Sequence, residues 1–173
     1  MLFPDDDGQG QMDGSWSPDG RRIIFHVDAH HSIRILDVKT GKVSQVPDSD
    51  GLWSPRWSSD GRYIAAMAST PPMAIKLFDQ QTQEWSSLTE DSGVWGYPTW
   101  SRNGKFLYAL NNQREWSIRR ISVPDGKLEM VVDLSNVHLI GAVGFWFGLD
   151  PNDTPLLLRN NGISDIYALT LER

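Results

Sequence analysis

The chain has no cysteine among its 173 residues. Disulfides, thiolate zinc sites and a cysteine nucleophile are thereby excluded, although no cellular compartment is. An excess of basic residues is missing too. Sixteen Lys and Arg against 22 Asp and Glu give a formal charge of −6. That balance leaves no electrostatic footprint for nucleic acid or an anionic membrane, so neither is expected as a partner of this region. No apolar run approaches the ~18 residues that a membrane span needs. The segment Met1-Leu2-Phe3-Pro4-Asp5-Asp6-Asp7 lacks the basic region and apolar core of a signal peptide. If the protein is exported, its signal lies outside this chain. Sustained helical periodicity and low-complexity linkers are also missing, and the whole chain reads as one all-β region.

Motifs that carry chemistry are equally scarce. There is no G-x-S-x-G elbow, P-loop or dinucleotide fingerprint. Nothing points to a Ser-His-Asp triad, and most carboxylates sit in turns, where their role is conformational. Asp5-Asp6-Asp7-Gly8, with Gln9 and Asp13 nearby, could offer oxygen ligands to calcium. The register is wrong for the calcium-loop motif, however, and no bidentate Glu follows. Pro47-Asp48-Ser49-Asp50-Gly51 repeats the same shape, which favours a solvated acidic turn between units. His26, His30 and His31 cluster and His138 stands apart. A zinc site needs three or four convergent ligands, and this segment reads as a strand running into a loop, so one strand histidine and two surface ones are expected. The reading is of no enzyme, no catalytic residues, no metal and no cofactor.

What the sequence does contain is a repeat. Trp16-Ser17-Pro18-Asp19-Gly20 returns as Trp57-Ser58-Ser59-Asp60-Gly61 and as Trp100-Ser101-Arg102-Asn103-Gly104. A worn fourth copy is Leu149-Asp150-Pro151-Asn152-Asp153. The anchors stand 41, 43 and 49 residues apart, and a period near forty marks a propeller of four-stranded blades. Ser, Pro, Asp and Gly suit the successive positions of a type I turn closed by a residue with φ > 0, the turn of a short β-hairpin. Ile23 and Phe25 follow the first turn in strand alternation, with Ile64 and Ala66, Leu107 and Ala109, and Leu156 and Leu158 as equivalents by count. Third strands follow at Ile33–Leu36, Ile75–Phe78, Ile118–Ile121 and Ile166–Leu169. Fourth strands follow at Val43–Val46, Glu84–Leu88 and Leu128–Val132. The units run over 9–47, 48–89, 90–134 and 135–173, and residues 1–4 match the end of a fourth strand. That order suits either a closing ring or an arc of a larger propeller. The arc is the expectation, with unpaired edges open to self-association.

Trp-Ser-Pro-Asp-Gly-Arg followed by an apolar strand, then Ile-Arg-Ile-Leu-Asp-Val-Lys-Thr-Gly-Lys, resembles the WD40-like (PD40) repeat of TolB-type β-propellers. The stretch from Val94 to Asp153 looks like the C-terminal propeller of large bacterial regulators, notably acidobacterial ones. Those join it to a winged-helix DNA-binding domain or a serine/threonine kinase. The resemblance implies a propeller of six or more blades that senses or binds proteins, in a bacterial signalling or regulatory protein. Whether such a protein is cytoplasmic or extracytoplasmic stays open. The family shares no catalytic residues.

Trp16, Trp57 and Trp100, as repeat anchors, are expected in the core. Trp53, Trp95 and Trp146 precede anchors, Trp116 lies between second and third strands, and Trp85 lies on an outer strand. Loops entering the inner strand and loops after the second strand share one face of a propeller. Trp53, Trp95 and Trp116, with Arg56 and Arg114, are therefore the candidate binding residues, Trp and Arg being favoured interface anchors. A protein or peptide partner is expected there. The alternative is a propeller cap beside a prolyl-oligopeptidase-like hydrolase domain outside this chain.

Overall fold

The computed structural model describes residues 10–27, 31–90, 95–111, 116–137 and 147–157. Among them every regular element is a strand. The first sheet holds β1 (Gln11–Trp16), β2 (Arg22–Val27), β3 (Ser32–Asp37) and β4 (Val43–Gln45). The second holds β5 (Leu52–Trp57), β6 (Tyr63–Ala68), β7 (Ile75–Asp79) and β8 (Glu84–Ser87). The third holds β9 (Trp95–Trp100), β10 (Phe106–Asn111), β11 (Ser117–Ser122) and β12 (Leu128–Asp133). A hairpin of β13 (Phe147–Leu149) and β14 (Pro155–Leu157) follows. Each four-stranded sheet is an antiparallel meander in chain order, and the sheets pack face to face as propeller blades.

The hairpins at 17–20, 58–61 and 101–104 share one hydrogen-bonded clasp. The Ser17 hydroxyl donates to Asp19 Oδ1 at 2.6 Å and accepts from the Arg22 amide at 2.9 Å. Asp19 Oδ1 also accepts from the Arg21 amide. Ser58 and Asp60 do the same for the Arg62 and Tyr63 amides, and Ser101 and Asn103 for Lys105 and Phe106. Buried serines thus satisfy the backbone where strand gives way to turn. Gly20, Gly61 and Gly104 all have φ near +70°, the left-handed conformation that glycine enters without a Cβ penalty.

The fourth hairpin is one residue shorter. Asp150 stands where the serine does and accepts from the amides of Asn152 and Thr154, while Asp153 takes the left-handed place at φ 62°. Leu149 pairs with Pro155, six residues on, whereas Trp16 pairs with Ile23, seven on. This corrects the equivalence of Leu156 with Ile23. A slip of one residue turns every side chain to the opposite face. Leu156 is accordingly exposed, and Leu157 packs on the core. The fourth-unit strands expected at Leu158 and 166–169, and the partial strand at 1–4, lie outside the described residues.

The core lies in the seams between blades. Middle strands are buried on both faces, which is why β6 reads as a continuous apolar run, Tyr63-Ile64-Ala65-Ala66-Met67-Ala68. Ile64 and Ala66 meet Ile24, Ile33 and Val46 of the first blade. Ala65 and Met67 meet Leu107, Ala109 and Ile121 of the third. Phe147 and Leu157 close over Tyr108, Leu110 and Ile118. Burying each such large apolar side chain contributes roughly 1.5–3 kcal/mol. Trp57 is buried in the first seam with the Arg22 guanidinium 4.7 Å above its ring. Trp100 is half-buried, and its indole donates to the Arg56 carbonyl at 3.0 Å. Trp16 departs from the expectation: it is 57% exposed. Each anchor covers itself with the preceding blade, and Trp16 points to the side of the first blade that turns away from the second.

Two outcomes follow from the turns. Gly126 has φ 69°, and a Cβ added there would collide with the backbone carbonyl of Leu88. Gly126→Ala is therefore expected to lower the denaturation midpoint well beyond Gly41→Ala. Gly41 has a similar φ but open space around it, so its variant carries only the ~1–2 kcal/mol cost of a left-handed non-glycine residue. The second outcome concerns acid. Hydrogen bonds from Ser17 and the Arg21 amide hold the Asp19 carboxyl below its ordinary range, and the Ser58 hydroxyl lowers that of Asp60. Carboxyls lowered on folding stabilise the fold above the ordinary carboxylate pKa near 4, and that stability is lost as pH falls through the folded value. Asp19→Asn with Asp60→Asn, copying Asn103, should keep the clasp while making the loss of stability between about pH 5 and 2 shallower. A chemical-denaturation series across that pH range reads the difference.

Candidate functional site

The inner strands β1, β5 and β9 each carry a bulge three residues before the anchor. Asp13, Ser54 and Tyr97 have φ of 54°, 52° and 52°, and the pairing of β1 with β2, β5 with β6, and β9 with β10 shifts at these places. A bulge of this kind bends the strand and re-aims its side chains. Here it links blades. Ser54 is buried, and its hydroxyl donates to Asp13 Oδ2 at 2.5 Å across the seam. Arg56 donates through Nη2 to Asp13 Oδ1 at 2.6 Å and through Nη1 to the Pro55 carbonyl. The two oxygens of one carboxylate are held by two side chains of the next blade.

Beside this clamp opens a cavity of about 500 Å³ lined by Met12, Asp13, His26, His31, Trp53, Ser69, Met73 and Tyr97. It lies at the blade end where the loops enter the inner strands and leave the second strands. Met12 and His26 are cross-strand partners at the end of the first sheet. The buried His26 ring meets Trp53 edge-on, with centroids 6.4 Å apart at 76°. The Trp53 indole donates to the Ala68 carbonyl at 3.4 Å, which helps fix the ring at the wall. The lining is mainly apolar and aromatic, with a few polar groups at defined places, as small-ligand and side-chain pockets commonly are.

Of the residues singled out in the sequence, Trp53 lines this cavity and Arg56 reaches it through Asp13. Trp95 begins β9 at the same end, paired with Asn111; its side chain is outside the described residues, as is all of Arg114. Trp116 directly precedes β11 at that end. It is half-buried in the seam between the third blade and the β13–β14 hairpin, its carbonyl accepting from the Leu134 amide. The structure therefore gathers Trp53 and Arg56 and places Trp116 in another seam. Met12, Asp13, His26, His31, Met73 and Tyr97 join the site unforeseen. The positions of Asp13 and Tyr97, three before an anchor, were the available signal. Of the histidines weighed for zinc, His26 is the buried strand residue and His31 is exposed, and His30 and His138 lie outside the described residues.

Carboxyls with lowered pKa lie elsewhere, in turns or at the strand ends that lead into them. Asp37 is lowered by the Thr40 amide and hydroxyl, Asp79 by Arg62, Asp133 by the Ser135 amide, and Asp150 by the Thr154 amide. Arg62 and Arg120 are raised by their partners Asp79 and Glu129. Among the described residues no three His, Asp or Glu side chains are grouped closely enough to hold a metal ion.

No family model matches the sequence, and no curated protein matches it. Solved structures do. The chain is similar to TolB from Acinetobacter baumannii, with a TM-score of 0.71 and 20% identity over 90% of this chain and 39% of that one. It is similar to a protein described as TolB from Agrobacterium tumefaciens, with a TM-score of 0.64 and 19% identity over 72% of this chain and 50% of the other. An oligogalacturonate lyase in complex with manganese gives a TM-score of 0.57 and 14% identity over 68% and 38%. The chain thus spans between about two-fifths and half of the length of these relatives. Four-stranded antiparallel meanders stacked face to face are the fold of the TolB-type β-propellers.

Proposed function

We propose that the chain is a non-catalytic recognition module that binds a protein or peptide at the end face carrying the Trp53 cavity. The observation that carries this reading is the cavity itself. It is an apolar pocket walled by Trp53, Tyr97, Met12 and Met73, with the Asp13–Arg56 pair at its rim. Large aromatic walls with a charged rim suit the insertion of an apolar anchor from a partner, surrounded by polar contacts. The rim pair is half-exposed, so it adds orientation more than affinity. In the setting that the sequence resemblance implies, such binding serves sensing in a bacterial signalling or regulatory protein.

The absence of catalysis is part of the proposal. Its support is the placement of the perturbed carboxyls, each explained by the hydrogen bonds of its own turn or by a surface arginine. Panels of ester, peptide and glycoside substrates should show no turnover by the purified chain; turnover abolished by one point substitution would refute this part.

Binding is tested by selecting peptides from a random library against the immobilised chain. Selected binders should weaken by about tenfold or more with Tyr97→Ala and with Trp53→Ala, the scale of losing an aromatic anchor. Both variants are checked for an unchanged melting transition. Binders indifferent to both substitutions but lost on changes at the 17–20 hairpin would show that the opposite face does the binding.

A further inference from the structure

The seam between the first two blades carries a second cavity, on the outer side of the sheets and independent of the end-face reading. It measures about 310 Å³, at the small end of the ~300–1,000 Å³ typical of small-molecule sites. Trp85, Asp48, Asp50, Lys76, Ser86 and Ser87 surround it above a floor that includes Leu52.

Trp85 is what the repeat does not account for. It faces Phe78 across β7 and β8, as Val43 faces Leu36 and Leu128 faces Ile121 in the other blades. A branched aliphatic residue is therefore enough for that position in the core. The indole extends further: its ring tilts on Phe78 at 5.1 Å, and its N–H donates across the seam to the Pro47 carbonyl at 2.7 Å. The platform is fixed by both contacts. Asp50, Lys76 and Ser87 are held as well. The Gln45 amide donates to Asp50 Oδ1 at 3.0 Å, and the Lys76 ammonium donates to the Ser87 hydroxyl at 2.8 Å. Side chains already held in place lose little freedom when a guest arrives.

We propose that this cavity binds a neutral saccharide, of about one pyranose ring. A sugar needs what is collected here: acceptors for its hydroxyl protons at Asp48 and Asp50, a donor to its oxygens at Lys76, a group that does both at Ser87, and an apolar surface for its C–H face at Trp85. An anion meets two carboxylates and a cation meets the Lys76 ammonium, so an uncharged polyol uses the set best.

The test is NMR titration of the whole chain, ¹⁵N-labelled, with glucose, galactose, N-acetylglucosamine, maltose and cellobiose. Separate arms use N-acetyl-lysinamide and inorganic phosphate. At least one sugar is expected to shift the Trp85 indole N–H and the Ser86 and Ser87 amides saturably in the millimolar range. Trp85→Leu, which restores the residue type the repeat carries at Leu128, keeps the core and should weaken that binding by about tenfold, the loss of one aromatic contact. Asp50→Asn should weaken it while leaving the melting transition in place. The proposal fails if no sugar shifts these signals, if the shifts survive Trp85→Leu, or if only the cation or the phosphate binds. None of these results bears on peptide binding at the Trp53 cavity.

Discussion

The blades depend on a hydroxyl. At the end of each of the first three inner strands a buried serine bridges an Asp or Asn side chain and a backbone amide beyond the turn. That clasp fixes where the middle strand begins, and a single residue of slip there would turn its apolar faces inside out. Because the middle strand is buried on both faces, its register decides two seams at once. The fourth hairpin shows the sensitivity directly. Asp150 keeps the clasp with one residue fewer, and the exposed and buried leucines of β14 change places relative to a simple count.

Seam chemistry then dictates what can sit where. The outer strands need only cover an apolar row, so β4, β8 and β12 are largely exposed. The inner strands β1, β5 and β9 are more constrained, each with a bulge that re-aims a side chain. Asp13, Ser54 and Arg56 form a bond between blades there, and the Trp53 cavity opens beside it.

Much of the fold was legible because hairpin chemistry is local. The Trp-Ser-x-Asp-Gly pentapeptide specifies its own turn, and the two-sided burial of middle strands shows as unbroken apolar runs. The site was legible only in part. Trp53 was visible as a tryptophan near an inner strand, but Trp116 looked equivalent in sequence and packs into a different seam. Trp16 carries the same motif as Trp57, yet burial of an anchor depends on the blade before it, which no local pattern reports. Asp13 resembled one more acidic turn residue. Its role comes from Arg56, 43 residues away, and that proximity exists only once the blades are stacked.

The bulges at Asp13, Ser54 and Tyr97 separate two demands on one strand. Their backbone conformation is nearly the same in three blades, although an acid, an alcohol and a phenol occupy it. The ladder hydrogen bonds on either side hold the strand whichever side chain the bulge presents. These places therefore act as sockets, in which the side chain carried at the bulge can be exchanged one residue at a time while the frame that presents it stays the same.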